Sequence, residues 1–395
     1  GISSSVAVTS SPSFDSLERP QQAQPAGASM TMRSRSAFAG HGLRTGRLRV
    51  KARTDCVLGD LCAGVWTGVL ICDSVHLNNG LRDAMSRRRI GQEEFGFAVD
   101  RGQHSSLDAL ARLIDWMPVD QALGVICCAA KGEPAWPPMA LFKAMLLSIW
   151  YDVSDVKLAE ALDDRGSFRR FCGFSASEPT PERTAFVRFR KTLVAHGLDK
   201  TLFDEITRQL KAKAIQVKTG TLVDATIIAS ASEDDDEGRW VKHKGRPAVH
   251  GFKAHVGADA ETALVEEIAI TPANINDGKA GPDALPDNPG KVFADSAYRG
   301  NHFGDAVRAK GGTPLIVATG MWGRDEAETL ARLEAWNQPI HRIRGRIEKI
   351  FGTWKRSYGL GRMRWRGLAK AGVQIRLTAI AYNMKRSLKI ITMAG

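Results

Sequence analysis

The chain has 395 residues, more than one average domain needs, so two folded units and a tail are expected. Hydrophobic residues make up 43%, enough for a buried core, and 55 Lys and Arg against 43 Asp and Glu leave a formal charge of +12, which favours a polyanionic partner. Six cysteines without a CxxC pair and apolar runs of at most about eleven residues argue against a disulfide framework, a structural zinc site and a membrane span, and fit a reducing intracellular compartment.

Residues 1 to about 50 are rich in Ser, Ala, Pro, Gln and Arg, lack periodicity and are expected to be disordered. Met85 is followed by three arginines and then by ordinary globular patterning. Residues 1–84 therefore read either as a basic arm touching DNA or, the favoured reading, as sequence upstream of a natural start at Met85.

Residues 104–215 carry helical patterns. Leu107, Leu110, Leu113, Ile114 and Met117 recur at helix spacing, and Pro137-Pro138 opens an all-round apolar run to Trp150 that should be a buried helix. Residues 155–163 form a short amphipathic helix. Thr180, Pro181 and Glu182 supply an N-cap, a proline at the first helical position and a first-turn acid for the next one. That helix buries Phe186, Phe189 and Leu193, exposes Arg188 and Lys191, and sets Arg183 and Arg190 on its flank. Two short helices with a basic second member suggest a helix-turn-helix with these four cations on DNA; a plain bundle with a solvated face is equally open.

After Lys218 the texture changes to β-like runs at 221–228, 252–258, 264–271, 291–295 and 314–317. Helical patterns follow at 323–336, 341–358 and 368–391, the last packing Val373, Leu377, Ile380, Ala381 and Met384 on the sheet. This is a mixed α/β domain. The acids of 233–237 read as a solvated loop. His250 and His255 are either structural histidines or DNA contacts, and Trp322 either packs in a loop or stacks a flipped base.

Three acids stand out. Asp224 lies in a strand that is apolar on both faces, where an unpaired carboxylate costs several kcal/mol. Asp295 ends the run Lys-Val-Phe-Ala-Asp, a strand's C-terminal end being a common placement for site residues in α/β folds. Glu348 is the only acid between His341 and Lys370, among ten Lys or Arg. On a helix, Ile343, Ile347, Ile350 and Trp354 form an anchoring stripe. Glu348 lies on the neighbouring one, between Arg344 a turn before and Lys355 two turns after. The bland alternatives are a turn-capping acid for either aspartate and an Arg344–Glu348 surface pair. Phosphodiester chemistry supplies a reason for all three: it can use two Mg²⁺ ions about 3.5–4 Å apart, which prefer oxygen ligands.

From about Met85 onward the chain resembles the DDE transposases of bacterial insertion sequences, of the insertion-sequence-five type. The resemblance rests on Trp136-Pro-Pro-Met, Ser167-Phe-Arg-Arg-Phe-Cys-Gly173, Val223-Asp224-Ala225-Thr226, Thr271-Pro-Ala-Asn274, Ala294-Asp295-Ser-Ala-Tyr298 and Arg344-x₃-Glu348-x₆-Lys355. The family signature has a Tyr three residues before the Arg; His341 stands there. The resemblance implies a helical domain for DNA recognition and dimerisation over 85–215. It implies a ribonuclease-H-like catalytic domain over 216–395, with Asp224, Asp295 and Glu348 binding two Mg²⁺ ions (Mn²⁺ substituting) and Arg344, Lys355 and His341 on DNA. The expected function is cut-and-paste transposition in the bacterial cytoplasm, at the nucleoid. The protein would act as a dimer or higher assembly on double-stranded element ends and target. A same-fold nuclease and a decayed copy that only binds DNA are the alternatives.

Overall fold

A computed structural model describes residues 91, 105–126, 134–214, 218–242, 245 and 247–394; the expectations for residues 1–84 lie outside them. Seven helices come first: α1 (Ser106–Leu113), α2 (Met117–Leu123), α3 (Pro138–Trp150), α4 (Asp155–Asp164), α5 (Gly166–Cys172), α6 (Arg183–Ala195) and α7 (Leu198–Ala214). The all-round apolar helix α3 is buried as its composition requires. Met117 does not extend α1. It starts α2 and is 67% exposed, because Ile114 already leaves the helical conformation. Helix α6 begins two residues later than its signal, with Glu182 as a cap that makes no side-chain bond; Thr180 instead donates to Asp163. Helix α5 intervenes between the two helices read as a helix-turn-helix.

The sheet follows as β1 (Gly220–Ala229), β2 (Arg239–Val241), β3 (Val249–Asp259), β4 (Val265–Pro272), β5 (Lys291–Ala294) and β6 (Thr313–Ile316). The order β2-β3-β1-β5-β6, with β4 also on β3, puts β1 at the centre. It is antiparallel to β3 and parallel to β5, which is parallel to β6. Three antiparallel strands followed by parallel ones, with helices on both faces, is the ribonuclease-H-like arrangement. The parallel strands need crossovers. Helix α8 (Asp277–Ala280) with a 3₁₀ turn precedes β5, and α9 (Asn301–Ala309) joins β5 to β6.

Alternation along β1 sets the layers. Leu222 and Ile228 enter the large core shared with the helices, whereas Val223 joins Val292, Tyr298 and Phe303 in a smaller cluster on the opposite face. Asp224 has the parity of Leu222. It therefore faces α10 (Glu326–Ser357), a 32-residue helix that passes through Pro339 without a break. The sequence pattern is interrupted there, since proline removes a helical donor. The turn is held from outside: Asn337 accepts from the Ala318 N–H and donates to its C=O, both at 2.9 Å, and Ile340 is buried. The stripe Ile347, Ile350 and Trp354 is fully buried and anchors α10.

The last helix, α11 (Leu368–Ala394), packs on α7 and α3 as well as on β4. Asn383 satisfies both the N–H and the C=O of Val265 at 2.9 and 2.7 Å, and the Trp150 indole donates to the Ala381 carbonyl at 2.9 Å. One hydrophobic cluster therefore runs from Leu107 to Met384 through both the helices and the sheet. The acidic run is exposed at Glu233, Asp234, Asp236 and Glu237, as a solvated loop would be, but not at Asp235. Asp235 is 5% exposed and accepts from the Gly367 N–H at 2.9 Å, while Glu237 accepts from the Leu368 N–H. These carboxylates satisfy the free donors at the α11 N-terminus and complement its dipole. Among the described residues no helix is long and apolar enough to cross a membrane.

Candidate active site

Parallel pairing of β1 with β5 matches Leu222 to Phe293. Two residues further along each strand stand Asp224 and Asp295, so the parallel register makes the two aspartates neighbours. Asp295 lies just past the end of β5, where its Oδ1 accepts from the Ala297 N–H at 2.8 Å and caps a 3₁₀ turn. Asp224 Oδ1 accepts from its neighbour's N–H, that of Ala225, at 2.8 Å. The capping reading is thus true of Asp295 as local structure, and its second oxygen lies toward Arg344.

The cation between them is Arg344. Its Nη2 donates to Asp224 Oδ2 at 3.0 Å and lies 3.9 Å from Asp295 Oδ2. All three groups are largely enclosed, with side-chain exposures of 17% for Asp224, 35% for Asp295 and 11% for Arg344. Burial raises the Asp224 pKa to about 6 and Asp295 adds to the rise; Arg344 and the Ala225 N–H oppose it. The arginine offsets the burial of Asp224 only in part.

Tyr298, in the smaller hydrophobic cluster with Val223, is fully buried, and its hydroxyl has no hydrogen-bond partner among the described residues. Burial pushes its pKa well above the ordinary phenol value, and the charges of Asp224, Asp277 and Asp295 push it the same way. Lys253 pairs with Asp277 at 2.8 Å, and His255 bonds Thr271 at 3.0 Å. His255 is fully buried, and burial holds its pKa down at about 4. His250 is buried against Ser230 at 2.8 Å. Both histidines are therefore structural. Trp322 is 97% exposed, so it packs in neither loop nor core.

The remaining candidates are dispersed. Glu348 is exposed, one turn beyond Arg344 on α10, and Lys355 lies at the surface two turns further. His341 is exposed on the same helix. Among the described residues no three acidic, histidine or cysteine side chains close into a metal cradle. Asp224 and Asp295 come together, and Glu348 stands apart from them. On α6, Arg183, Arg188 and Lys191 are exposed. Arg190 is buried in a bidentate pair with Asp155, at 2.8 and 2.6 Å, with its guanidinium over the Trp365 ring. The sequence reading missed this inward commitment, because Asp155 is 35 residues away in the chain and Trp365 is 175.

The donor set fits a hard divalent cation. Its donors are carboxylate oxygens, and the structure already places one positive charge between the two aspartates.

Residues 215–384 match the family of the transposase DDE domain, and residues 97–192 match a second family described as a transposase domain. The two lie in the order helices, then sheet, and together take in about two thirds of the chain. Transposases of the first family generally use divalent metal ions. The paired aspartates, the sheet that pairs them and both family matches agree: this chain belongs to the DDE transposases of insertion sequences.

Proposed function

We infer that the chain binds the terminal inverted repeats of its own element, of the insertion-sequence-five type, and moves it by cut-and-paste transposition. The observation that carries this reading is Arg344 lodged between Asp224 and Asp295. Two neighbouring carboxylates with a positive charge seated between them mark a place that a divalent cation would take in a metal-dependent phosphodiester site. Asp224 and Asp295 would hold Mg²⁺, with Mn²⁺ able to substitute, and Glu348 would complete the site from α10. Bound divalent ions supply a nucleophile active at neutral pH and neutralise the leaving oxygen.

The chain's own groups do the rest. Arg344, freed from the aspartates, turns to the phosphate beside the scissile bond. His341 and Lys355, on the same helix, bind the strand to either side. Arg183, Arg188 and Lys191 on α6 face the duplex, and Arg190 braces α6 through Asp155. Residues 85–215 would serve end recognition and dimerisation, and residues 216–395 catalysis. The protein would act as a dimer or higher assembly at the nucleoid.

The test is a supercoiled plasmid carrying the element ends, incubated with the protein and Mg²⁺. Joining of 3′ ends into target DNA is the expected result. Nicking without joining would make the protein a nuclease of the same fold, and binding without cleavage would leave it a DNA-binding copy.

A further inference from the structure

A cleft of about 780 Å³ lies past the C-terminal end of α10, walled by α4, α6 and residues 364–370. Its two acids are already neutralised. Asp155 is held by Arg190, which stacks over Trp365 at 4.1 Å from the ring centroid. Asp152 is held by Arg364, which also donates to the Val153 carbonyl at 2.8 Å. The Asp152–Arg364 pair and the Arg190–Trp365 stack fasten segments 212 and 175 residues apart in sequence. The cations that remain are different. Arg183, Lys191 and Lys370 line the same cleft and have no hydrogen-bond or ion-pair partner among the described residues. Arg366 is 61% exposed and reaches only Asp234, at 3.8 Å.

A rigid wall with its acids consumed and its lysines left over is a site for anions. Cations spread around a cleft of this volume suit a chain of phosphates better than a single one. Asp224 stands five residues before the end of β1, and residues 361–363 run alongside that end: Met363 donates to the Ala229 carbonyl, and Arg362 Nε to that of Ser230. The cleft therefore opens beyond the strand end, away from Asp224 and Asp295.

We propose that this composite cleft is a second DNA-backbone site, which grips duplex phosphates away from the scissile bond whatever their sequence. The proposal rests on the transposase reading and adds a location and a mode of binding to it. Each phosphate neutralised contributes a slope of about −0.9 to log K against log salt, so three cations predict about −2.7 in total.

The test titrates full-length protein with two duplexes, one carrying an element end and one of scrambled sequence, across a range of KCl concentrations. Parent protein is compared with the triple variant Arg183→Gln, Lys191→Gln, Lys370→Gln. The expected result is a salt slope shallower by about two to three, with affinity weakened about tenfold or more on both duplexes alike. The charge-preserving triple Arg183→Lys, Lys191→Arg, Lys370→Arg should restore both. An unchanged slope in a variant of unchanged melting temperature would overturn the proposal. So would a changed sedimentation coefficient without a changed slope, which would assign the cleft to an acidic surface of a second copy. If the parent itself fails to bind either duplex, the transposase reading fails first.

Discussion

Arg344 Nη2 lies 3.0 Å from Asp224 and 3.9 Å from Asp295, so a single guanidinium serves two carboxylates that belong to neighbouring parallel strands. That relationship yields the most direct prediction. Replacing Arg344 with Ala leaves two enclosed acids without their cation, and removing one partner of such a buried set costs about 3–5 kcal/mol. The loss should appear as a lowered melting temperature in EDTA. Mg²⁺ should then raise the melting temperature of Arg344→Ala more than that of the parent, since the ion refills the vacated charge. Equal Mg²⁺ shifts in both proteins would mean that Arg344 does not occupy the cation's place.

Asp224 gives a pH dependence whose sign can be worked out. Its pKa is raised in the fold from 3.8 to about 6, chiefly by burial. The folded state therefore holds the proton more tightly than the unfolded state. This contribution is fully present below pH 3.8 and is lost as pH rises to about 6, a change on the order of 3 kcal/mol. Urea unfolding of parent and Asp224→Asn in EDTA between pH 4 and 7 isolates it, because the other carboxylates cancel in the difference. The variant should gain on the parent as pH rises. A difference that stays flat over this range would refute the assignment.

Glu348 separates chemistry from stability. It is exposed on α10 and makes no bond that holds the fold. Glu348→Gln should leave the unfolding free energy within about 0.5 kcal/mol of the parent's, while cleavage at the element ends falls by at least about a hundredfold. A variant that cleaves as well as the parent would remove Glu348 from the site.

Asp235 is expected to matter for the opposite reason. It accepts from the Gly367 N–H at the start of α11, and loss of such a cap costs about 1–2 kcal/mol. Asp235→Ala should lower stability by that amount without altering Mg²⁺ binding. Asp236→Ala, a neighbour with an exposed side chain, should change neither.

Much of this was legible in the sequence. The strand runs at 221–228 and 291–295 and the anchoring stripe of Ile347, Ile350 and Trp354 all correspond to observed elements, because period and burial are local properties. What escaped was decided by distant partners. The patterns at 323–336 and 341–358 read as two helices, yet Ala318 supports Asn337 and one helix runs through Pro339. The run 233–237 reads as solvated, yet it meets a helix start some 130 residues on. Arg190 reads as a DNA contact, and only the fold brings Asp155 and Trp365 to it. The same holds for the site. Each acid could be singled out from its surroundings, but the seating of Arg344 depends on how α10 lies across β1.

The placement of α11 has a consequence for synthesis. The α3 and α7 faces and the β4 edge are all completed by the last 27 residues of the described chain. A polypeptide still on the ribosome can form its early helices but cannot close either layer until that segment emerges. A stop codon before Leu368 would therefore yield an open, aggregation-prone fragment, not a shortened protein that still competes for DNA.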